Sequence, residues 1–246
     1  MDDFEWLGDR VDLLVRGGLV ITCVPREDDP IGRIEGGAVA IAGETILAVG
    51  REAELAASFD LSRARVLDAS GGVVAPGFVD PHTHYDAQLH WDPSATPSSY
   101  HGVTSVIGGN CGFTLAPLKE SDADFTRKMM AQVEGMPLVA LENGLDWSWN
   151  SFGEFLDRLD GNVAVNAGFL VGHCALRRYV IGPESTGRES TPDELARIEA
   201  ALAESIAAGG LGFSTSLSST HNDAEGNPVP SRFANDDEVL ALCDVV

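Results

Sequence analysis

Two apolar runs organise this 246-residue chain: GVVAPGFVDPHTH at residues 72–84 and TSVIGGNCG at residues 104–112. Each run is rich in β-branched residues and indicates a buried strand that ends in side chains able to bind a metal. Because residues i and i+2 of a strand point to the same face, we expect His82 and His84 to direct two imidazoles to one place. Cys111 lies where the second run stops. The pattern therefore predicts a Zn²⁺ site made by His82, His84 and Cys111.

The first run resembles a known signature. PGFVDPHTH at residues 76–84 is similar to the end of the first barrel strand in the amidohydrolase superfamily. The segments YDAQ (85–88), WDP (91–93), HGVT (101–104) and GNCGF (109–113) resemble its N-acyl-D-amino-acid deacylase, or D-aminoacylase, branch, and GNCG discriminates most. This resemblance implies an α/β fold, a (β/α)8 TIM-type metal-dependent hydrolase barrel preceded by a small β-sandwich. The chain would contain about the first four βα units.

The same resemblance implies a zinc-dependent amide hydrolase that acts on N-acyl-D-amino acids through a zinc-activated water. In that family the cysteine similar in place to Cys111 is a principal zinc ligand, and two later histidines complete its site. The His-x-His pair, here His82 and His84, belongs to a second and weaker metal position. The later histidines and the family's acid/base aspartate would follow beyond Val246, so no catalytic residue is assigned within this chain.

Two alternatives remain open at this point. One is another linear or cyclic amidohydrolase, similar to dihydroorotase or hydantoinase. Those relatives bridge two metals with a carboxylated lysine, whereas this chain has two lysines, Lys119 and Lys128, and neither ends an apolar run. The other is a catalytically incompetent N-terminal fragment. Such a fragment would expose apolar faces, so it would self-associate or need a complementing C-terminal half.

The composition bears on partners and compartment. The chain carries 38 acidic against 16 basic residues, a net charge of −22 that disfavours nucleic acid and anionic membranes as partners. We therefore expect a small-molecule N-acyl amino acid as the main partner. The first ten residues lack the features of a secretory signal. The four cysteines are scattered without close spacing, which favours reduced thiols and a cytoplasmic protein.

The pattern of strands and helices changes near residue 77. Residues 1–76 contain turn-separated β-branched runs, which predict a small antiparallel β unit with a short helix at 51–58, the expected β-sandwich part. Residues 77–246 alternate strands with helices, which indicates a parallel sheet and the first half of the barrel. We expect strands at 77–80, 104–108, 163–171 and 211–214. Helices are expected to follow Ser121, Ser151, Thr191 and Asn235.

Three further side chains are candidates for the site or its surroundings. His173 follows the third predicted strand and either lines the substrate pocket or forms a structural ion-pair network with Arg177; we prefer the second. His221 lies in a long polar loop and is either a substrate-binding or a solvated residue. Asp86 either supports a ligand histidine or caps the turn that follows it. The segment Ser214–Ser216 has no adjacent base that would activate a serine, which argues against a serine hydrolase.

Overall fold

The structure is a computed structural model that describes residues 10–246. The chain divides into two compact units: the first ends at Pro76, and the second is Gly77–Val246. The elements of the first unit are β1 (Leu13–Ile21), β2 (Arg33–Ala42), β3 (Thr45–Arg51), α1 (Glu52–Ser58), β4 (Arg65–Asp68) and β5 (Val73–Val74).

The sheet of the first unit is mixed rather than purely antiparallel. Its order is β3-β2-β1-β4, with β5 also paired to β1. β1 and β2 are antiparallel, as are β2 and β3, which confirms the predicted hairpins. β4 and β5 run parallel to β1, so the expectation of a wholly antiparallel unit is wrong. Residues 52–64, which include α1, provide the longer connection that a parallel strand requires.

The two faces of this sheet differ in what lies against them. One face packs on a small core made by Val11, Leu14, Ala38, Ala40 and Leu55. Because side chains alternate along a strand, the intervening residues point the other way. They line an apolar groove of about 570 Å³ that includes Val15, Val39, Ile41, Ile46, Val49 and Val74. The sheet therefore presents apolar side chains on both faces.

The second unit alternates strands and helices, as its sequence predicts. Its strands are β6 (Phe78–Asp80), β7 (Val103–Gly108), β8 (Asn166–Phe169), β9 (Val171–Gly172) and β10 (Phe213–Ser214). Its helices are α2 (Ala123–Glu134), α3 (Leu138–Asn143), α4 (Phe152–Leu159), α5 (His173–Ile181), α6 (Pro192–Ala207) and α7 (Asp236–Val245).

The strands of this unit are parallel and follow one another in space in chain order. β7 lies between β6 and β8, and β10 pairs with β9. Leu170 alone separates β8 from β9, so the five segments occupy four successive positions. These correspond to the four predicted strands, each somewhat shorter or shifted at its start. In such an arrangement the carboxyl ends of all strands lie at one edge, where polar side chains can gather.

The helix starts are set by local capping. Ser151 and Thr191 each accept a hydrogen bond from the backbone three residues later, and the glutamate at that position bonds back to the cap. Asn235 caps α7 in the same way through the Glu238 amide. A cap of this kind stabilises a helix by about 1 kcal/mol. The longest of these helices, α6, has 16 residues, and no helix among the described residues is both long and apolar enough to cross a membrane.

A buried charged network joins α5 to α7. Arg177 and Glu238 are both buried, and Arg177 Nη1 donates to both Glu238 carboxylate oxygens at 2.6 Å. The hydroxyl of Ser190 donates to the same carboxylate at 2.6 Å, and Arg177 Nη2 donates to the Arg188 carbonyl at 2.7 Å. Burial alone raises the pKa of Glu238, but these bonds, with one from His173, hold the pKa at about 2. The network therefore contains a charged carboxylate at neutral pH.

Candidate metal centre

The structure brings together the three residues that the sequence predicts as metal ligands. One nitrogen or sulfur atom each from His82, His84 and Cys111 all lie within 4.8 Å of one another. Cys111 Sγ lies 3.5 Å from His82 Nε2. The pairing of β6 with β7 explains the proximity, because Asp80 lies beside Val106 and both strands end at the same edge of the sheet.

The histidine pair lies beyond β6 rather than on it. The strand ends at Asp80, as predicted, and the chain bends at Pro81 and His82, so the alternation of side chains along an extended strand does not apply to the two histidines. The residue between the histidines explains why they still converge. Thr83 is buried, and both its backbone N–H and its hydroxyl donate to the Ile107 carbonyl at 2.9 Å. This double contact fixes Thr83 against β7, and the rings of His82 and His84 on either side of it have centroids 5.5 Å apart.

Cys111 sits in a turn whose backbone is held from two sides. Gly109, Cys111 and Gly112 have φ values of 73°, 55° and 80°, a region that a non-glycine residue occupies only with support. On one side, the Asp86 carboxylate accepts the Gly109 amide at 3.1 Å. On the other side, the Ser214 hydroxyl donates to the Gly109 carbonyl and accepts the Gly112 amide, the latter at 3.0 Å. These contacts fix the direction of the thiol.

Asp86 has neither of the two roles considered for it, because its carboxylate bonds a distant turn rather than a ligand histidine or the turn that follows it. Its carboxylate bonds the turn at Gly109 and, among its described partners, no ligand histidine. The side chain is fully buried, and its Oδ1 has no hydrogen-bond partner. Burial raises the pKa of Asp86 to about 7. Asp86 therefore supports the site through the backbone beside Cys111.

The electrostatic environment suits neutral imidazoles. Burial, followed by the charges of His82 and His221, lowers the pKa of His84 to about 4. At neutral pH this ring therefore keeps the lone pair that a metal needs. Burial, followed by the charge of Glu134, raises the pKa of the Cys111 thiol. A cation that binds here must displace the thiol proton, so its affinity should increase with pH.

Glu134 adjoins this cluster and is the residue that sequence reasoning missed. It ends α2, and its Oε2 lies 3.4 Å from His84 Nε2. Its side chain is 12% exposed, and burial raises its pKa to about 7. One sequence signal could have found it. A carboxylate in the last turn of a helix opposes the helix dipole, and Gly135 directly afterwards marks that end, so the position requires another explanation.

His173 belongs to the buried network rather than to a pocket wall. Its ring is buried, its Nδ1 contacts Thr215 Oγ1 at 2.9 Å, and its Nε2 contacts Glu238 Oε1 at 2.7 Å. Burial lowers the pKa of His173, so the neutral ring donates from Nε2 to the carboxylate and accepts the Thr215 hydroxyl at Nδ1. With both nitrogens occupied, a substrate-binding role for His173 is not supported, and the structural alternative fits.

His221 lies beside the candidate centre. Its ring packs edge-on against Phe113 at a centroid distance of 5.1 Å, and its charge contributes to the lowered pKa of His84. Its Nδ1 contacts Ser216 Oγ at 2.8 Å. Ser216 thus has an imidazole neighbour, which corrects the expectation that this serine lacks one. The same hydroxyl also accepts the Ser218 amide at 3.2 Å, the pattern of a structural turn.

The donor geometry is compatible with zinc. Zinc binds sulfur at about 2.3 Å and nitrogen at about 2.0–2.1 Å, so in a tetrahedral site the two atoms lie about 3.6 Å apart. The Cys111 Sγ and His82 Nε2 separation of 3.5 Å agrees with this value. His84 also has a buried nitrogen, Nδ1, without a hydrogen-bond partner. The residues present therefore fit a divalent metal ion.

Comparison with known proteins defines the family. A model of the amidohydrolase family matches residues 65–246, about three quarters of the chain, and the chain belongs to that family. Among its relatives is the D-aminoacylase of Alcaligenes xylosoxydans xylosoxydans, which is 36% identical over 205 residues, covering 83% of this chain and 37% of the relative. The N-acyl-D-aspartate deacylase of the same organism is 32% identical over 238 residues, covering 95% and 40%.

Solved structures give the same grouping. A crystal structure of D-aminoacylase matches with a TM-score of 0.70 at 32% identity, covering 95% of this chain and 42% of that one. A second match is the N-acyl-D-glutamate deacylase of Bordetella bronchiseptica, whose structure was solved with zinc and a phosphonate mimic of the tetrahedral intermediate. It has a TM-score of 0.73 at 26% identity and covers 96% of this chain and 43% of that one. The chain thus has an amidohydrolase-type α/β fold and spans about two fifths of these relatives.

Proposed function

We propose that this chain supplies the metal-binding strand ends of a zinc-dependent hydrolase that cleaves the amide of N-acyl-D-amino acids. The observation that carries the proposal is the convergence of His82, His84 and Cys111 within 4.8 Å at the ends of neighbouring parallel strands. The deacylase relatives support the reaction class, since they share up to 36% identity with the chain. The substrate and the metal are part of the proposal.

The donor set favours zinc over the harder divalent cations. A thiolate and two imidazoles are the ligands that zinc prefers, whereas magnesium and calcium select oxygen ligands. A bound zinc ion would polarise the amide carbonyl and acidify a water molecule. Within this chain, Thr83 fixes the imidazole pair against β7, while Asp86 and Ser214 fix the turn that presents Cys111. We assign these residues to holding and orienting the centre.

We further propose that the four strand positions of the second unit begin a (β/α)8 barrel, and that the sheet of the first unit is part of a β-sandwich. The parallel order and the ligands at the strand ends support the barrel. His221, half-buried beside Phe113, is the substrate-contacting residue that we propose within this chain. The remaining catalytic groups of the reaction would come from outside residues 10–246.

The positions of the lysines disfavour the cyclic-amide alternative. Dihydroorotase-like and hydantoinase-like sites, which the sequence left open, need a lysine beside the ligands. Lys128 is exposed and pairs with Asp124 at 2.7 Å, and Lys119 lies over the Tyr179 ring. The contacts of both lysines are thus made with residues other than His82, His84 and Cys111. The linear N-acyl amino acid is therefore the substrate class that we prefer.

The test measures metal content and then turnover. Zinc per chain is determined after dialysis for the wild type, Cys111→Ala and the control Cys243→Ala, an exposed cysteine on α7. We expect about one zinc in the wild type and the control, and loss in Cys111→Ala. Each loaded protein is then assayed with N-acetyl-D-amino acids, N-acetyl-L-amino acids and hydantoins. Zinc that persists in Cys111→Ala would refute the centre, and turnover of only L-substrates or hydantoins would refute the substrate class.

A metal-binding chain without turnover would support the fragment alternative. In that case the centre forms within these residues, and the activity belongs to a longer polypeptide or to a complex. Size-exclusion chromatography would then be informative. Self-association, or activity restored by a complementing half, would agree with apolar faces such as the groove along β1–β3. A clean monomer would argue against self-association.

A further inference from the structure

Glu134 is a carboxylate whose environment is unusual for a structural residue. Its side chain is 12% exposed and contacts His84. Within residues 10–246, no lysine or arginine lies within salt-bridge distance of it. A carboxylate withdrawn from water without a cationic partner destabilises the folded chain. Helix propensity does not explain it either, since a negative charge at the C-terminal end of α2 opposes the helix dipole.

The distance between Glu134 and His84 indicates the nature of their contact. Oε2 and Nε2 are 3.4 Å apart, whereas a charge-assisted hydrogen bond between such groups is about 2.7–2.9 Å long. Two ligand atoms bound to one zinc at about 2.0–2.1 Å in a tetrahedral site lie about 3.4 Å apart. If His84 binds the metal through Nε2 rather than through its unpartnered Nδ1, the pair is spaced like neighbouring ligands, as Cys111 Sγ and His82 Nε2 are at 3.5 Å. Glu134 lies outside the group of atoms that are all within 4.8 Å of one another, so its carboxylate would turn toward the cation on binding.

The charges lead to the same conclusion. Two neutral imidazoles and one thiolate around a divalent cation leave a net charge of +1 in a half-buried site. The carboxylate of Glu134 would bring that sum to zero, and a divalent cation is also the partner that the carboxylate lacks. Two separate deficits, one of negative charge at the metal and one of positive charge at Glu134, would thus be removed by one contact.

We propose that Glu134 is a ligand of the metal centre, which gives this chain a donor set of two imidazoles, one thiolate and one carboxylate for a divalent cation. This inference rests on the proposed metal centre of His82, His84 and Cys111. It adds that the end of α2 belongs to the centre, and that four donor groups come from residues 82–134 alone. It also gives a reason for a half-buried carboxylate before Gly135.

The experiment compares metal-free and metal-loaded forms of the whole chain. The variants are Glu134→Gln, Glu134→Ala, Cys111→Ala and the control Glu142→Gln, which removes an exposed glutamate from α3. Affinity is measured by Zn²⁺ competition against a chromogenic chelator, the coordination by Co²⁺ absorption, and the thermal midpoint with and without Zn²⁺. A ligand role predicts that Glu134→Gln lowers affinity by about 100-fold or more, beyond the 10–100-fold typical of a residue that only supports a ligand.

The thermal midpoints separate a ligand role from a structural one. If Glu134 is a ligand, the metal-free Glu134→Gln protein should melt at the same or a higher temperature than the wild type, because a desolvated charge has been removed. Its increase in melting temperature with Zn²⁺ should be lost. A structural role predicts the reverse, a lower midpoint without metal and an unchanged response to Zn²⁺. Glu134→Ala should give the same pattern of metal binding.

The outcomes distinguish this inference from the proposed centre. Loss of binding in Cys111→Ala, together with weakened binding in Glu134→Gln and an altered Co²⁺ d–d intensity in the latter at saturating Co²⁺, supports both proposals. Binding that is lost in Cys111→Ala but unchanged in Glu134→Gln overturns the role of Glu134 and leaves the centre standing. Weaker binding in Glu134→Gln with an unchanged Co²⁺ spectrum also overturns the ligand role. Absence of binding in the wild type, or binding that survives Cys111→Ala, overturns both.

Discussion

The Arg177–Glu238 pair gives a quantitative prediction for stability. The pKa of Glu238 is held at about 2, against 4.5 for a free glutamate, and the carboxylate is 1% exposed, so little solvent screening applies. This difference corresponds to about 3 kcal/mol of stability. Replacing Glu238 with Gln removes that contribution and leaves Arg177 buried without its counter-charge. A loss of about 3–5 kcal/mol at neutral pH is expected for a broken buried pair.

The pH dependence of this loss has a definite sign. Because the pKa of Glu238 is lowered in the folded chain, its contribution is complete above pH 4.5 and is lost as the pH falls toward 2. The deficit of Glu238→Gln relative to the wild type should therefore be largest at neutral pH and decrease steadily below pH 4.5. Comparing both proteins at each pH removes the contributions of other groups that titrate in the same range.

The assay is urea unfolding followed by the fluorescence of Trp147 and Trp149, both buried in the same unit. Measurements are made at pH 7.5 and at several values between pH 5 and 3. Asp237→Asn, an exposed neighbour on α7, is the control and should change stability by less than about 1 kcal/mol. A deficit below about 1 kcal/mol for Glu238→Gln at pH 7.5, or one that does not change with pH, would refute the reasoning.

Three further predictions concern the Cys111 turn and a helix cap. Ser214→Ala removes the hydroxyl that bonds Gly109 and Gly112. It should lower the free energy of unfolding, measured in urea, by about 1–3 kcal/mol and weaken zinc binding. An unchanged zinc affinity would argue against a positioning role for Ser214. Gly109→Ala places a Cβ 2.1 Å from the Leu170 carbonyl oxygen at a φ of +73°, so the protein should unfold at a clearly lower temperature. The control is Gly43→Ala, whose Cβ meets no atom within 4 Å and which should have a smaller effect. Ser151→Ala removes the α4 cap and should reduce the free energy of unfolding by about 1 kcal/mol, with Ser58→Ala as the exposed control.

Local signals in the sequence predicted much of the second unit. The capping boxes at Ser151 and Thr191 identify helix starts because a cap satisfies backbone donors within three residues of itself. The apolar runs before His82 and Cys111 identify strands whose ends meet, since parallel neighbours end at one edge. The family resemblance supplied the fold class, which neither composition nor periodicity could have given alone.

Features that depend on distant contacts could not be predicted in this way. The parallel pairing of β4 and β5 depends on the path of the chain through α1, and hydrophobic alternation is the same for either direction. The histidines leave the strand because Thr83 bonds Ile107, a contact that no spacing encodes. Glu134 reaches His84 only once α2 has packed, so the sequence can indicate an unusual carboxylate at a helix end but not the imidazole that it contacts.

The hydroxyl of Ser214 also bears on the order of events during folding. Its bonds to Gly109 and Gly112 join residues 105 and 102 positions apart, so they close a loop of more than a hundred residues. Contacts of such high contact order form late, after the local helices and hairpins. The turn that presents the thiol should therefore reach its final conformation only when β10 docks. In pulse-labelling hydrogen exchange, the Gly112 amide should gain protection after the amides of α4 and α6.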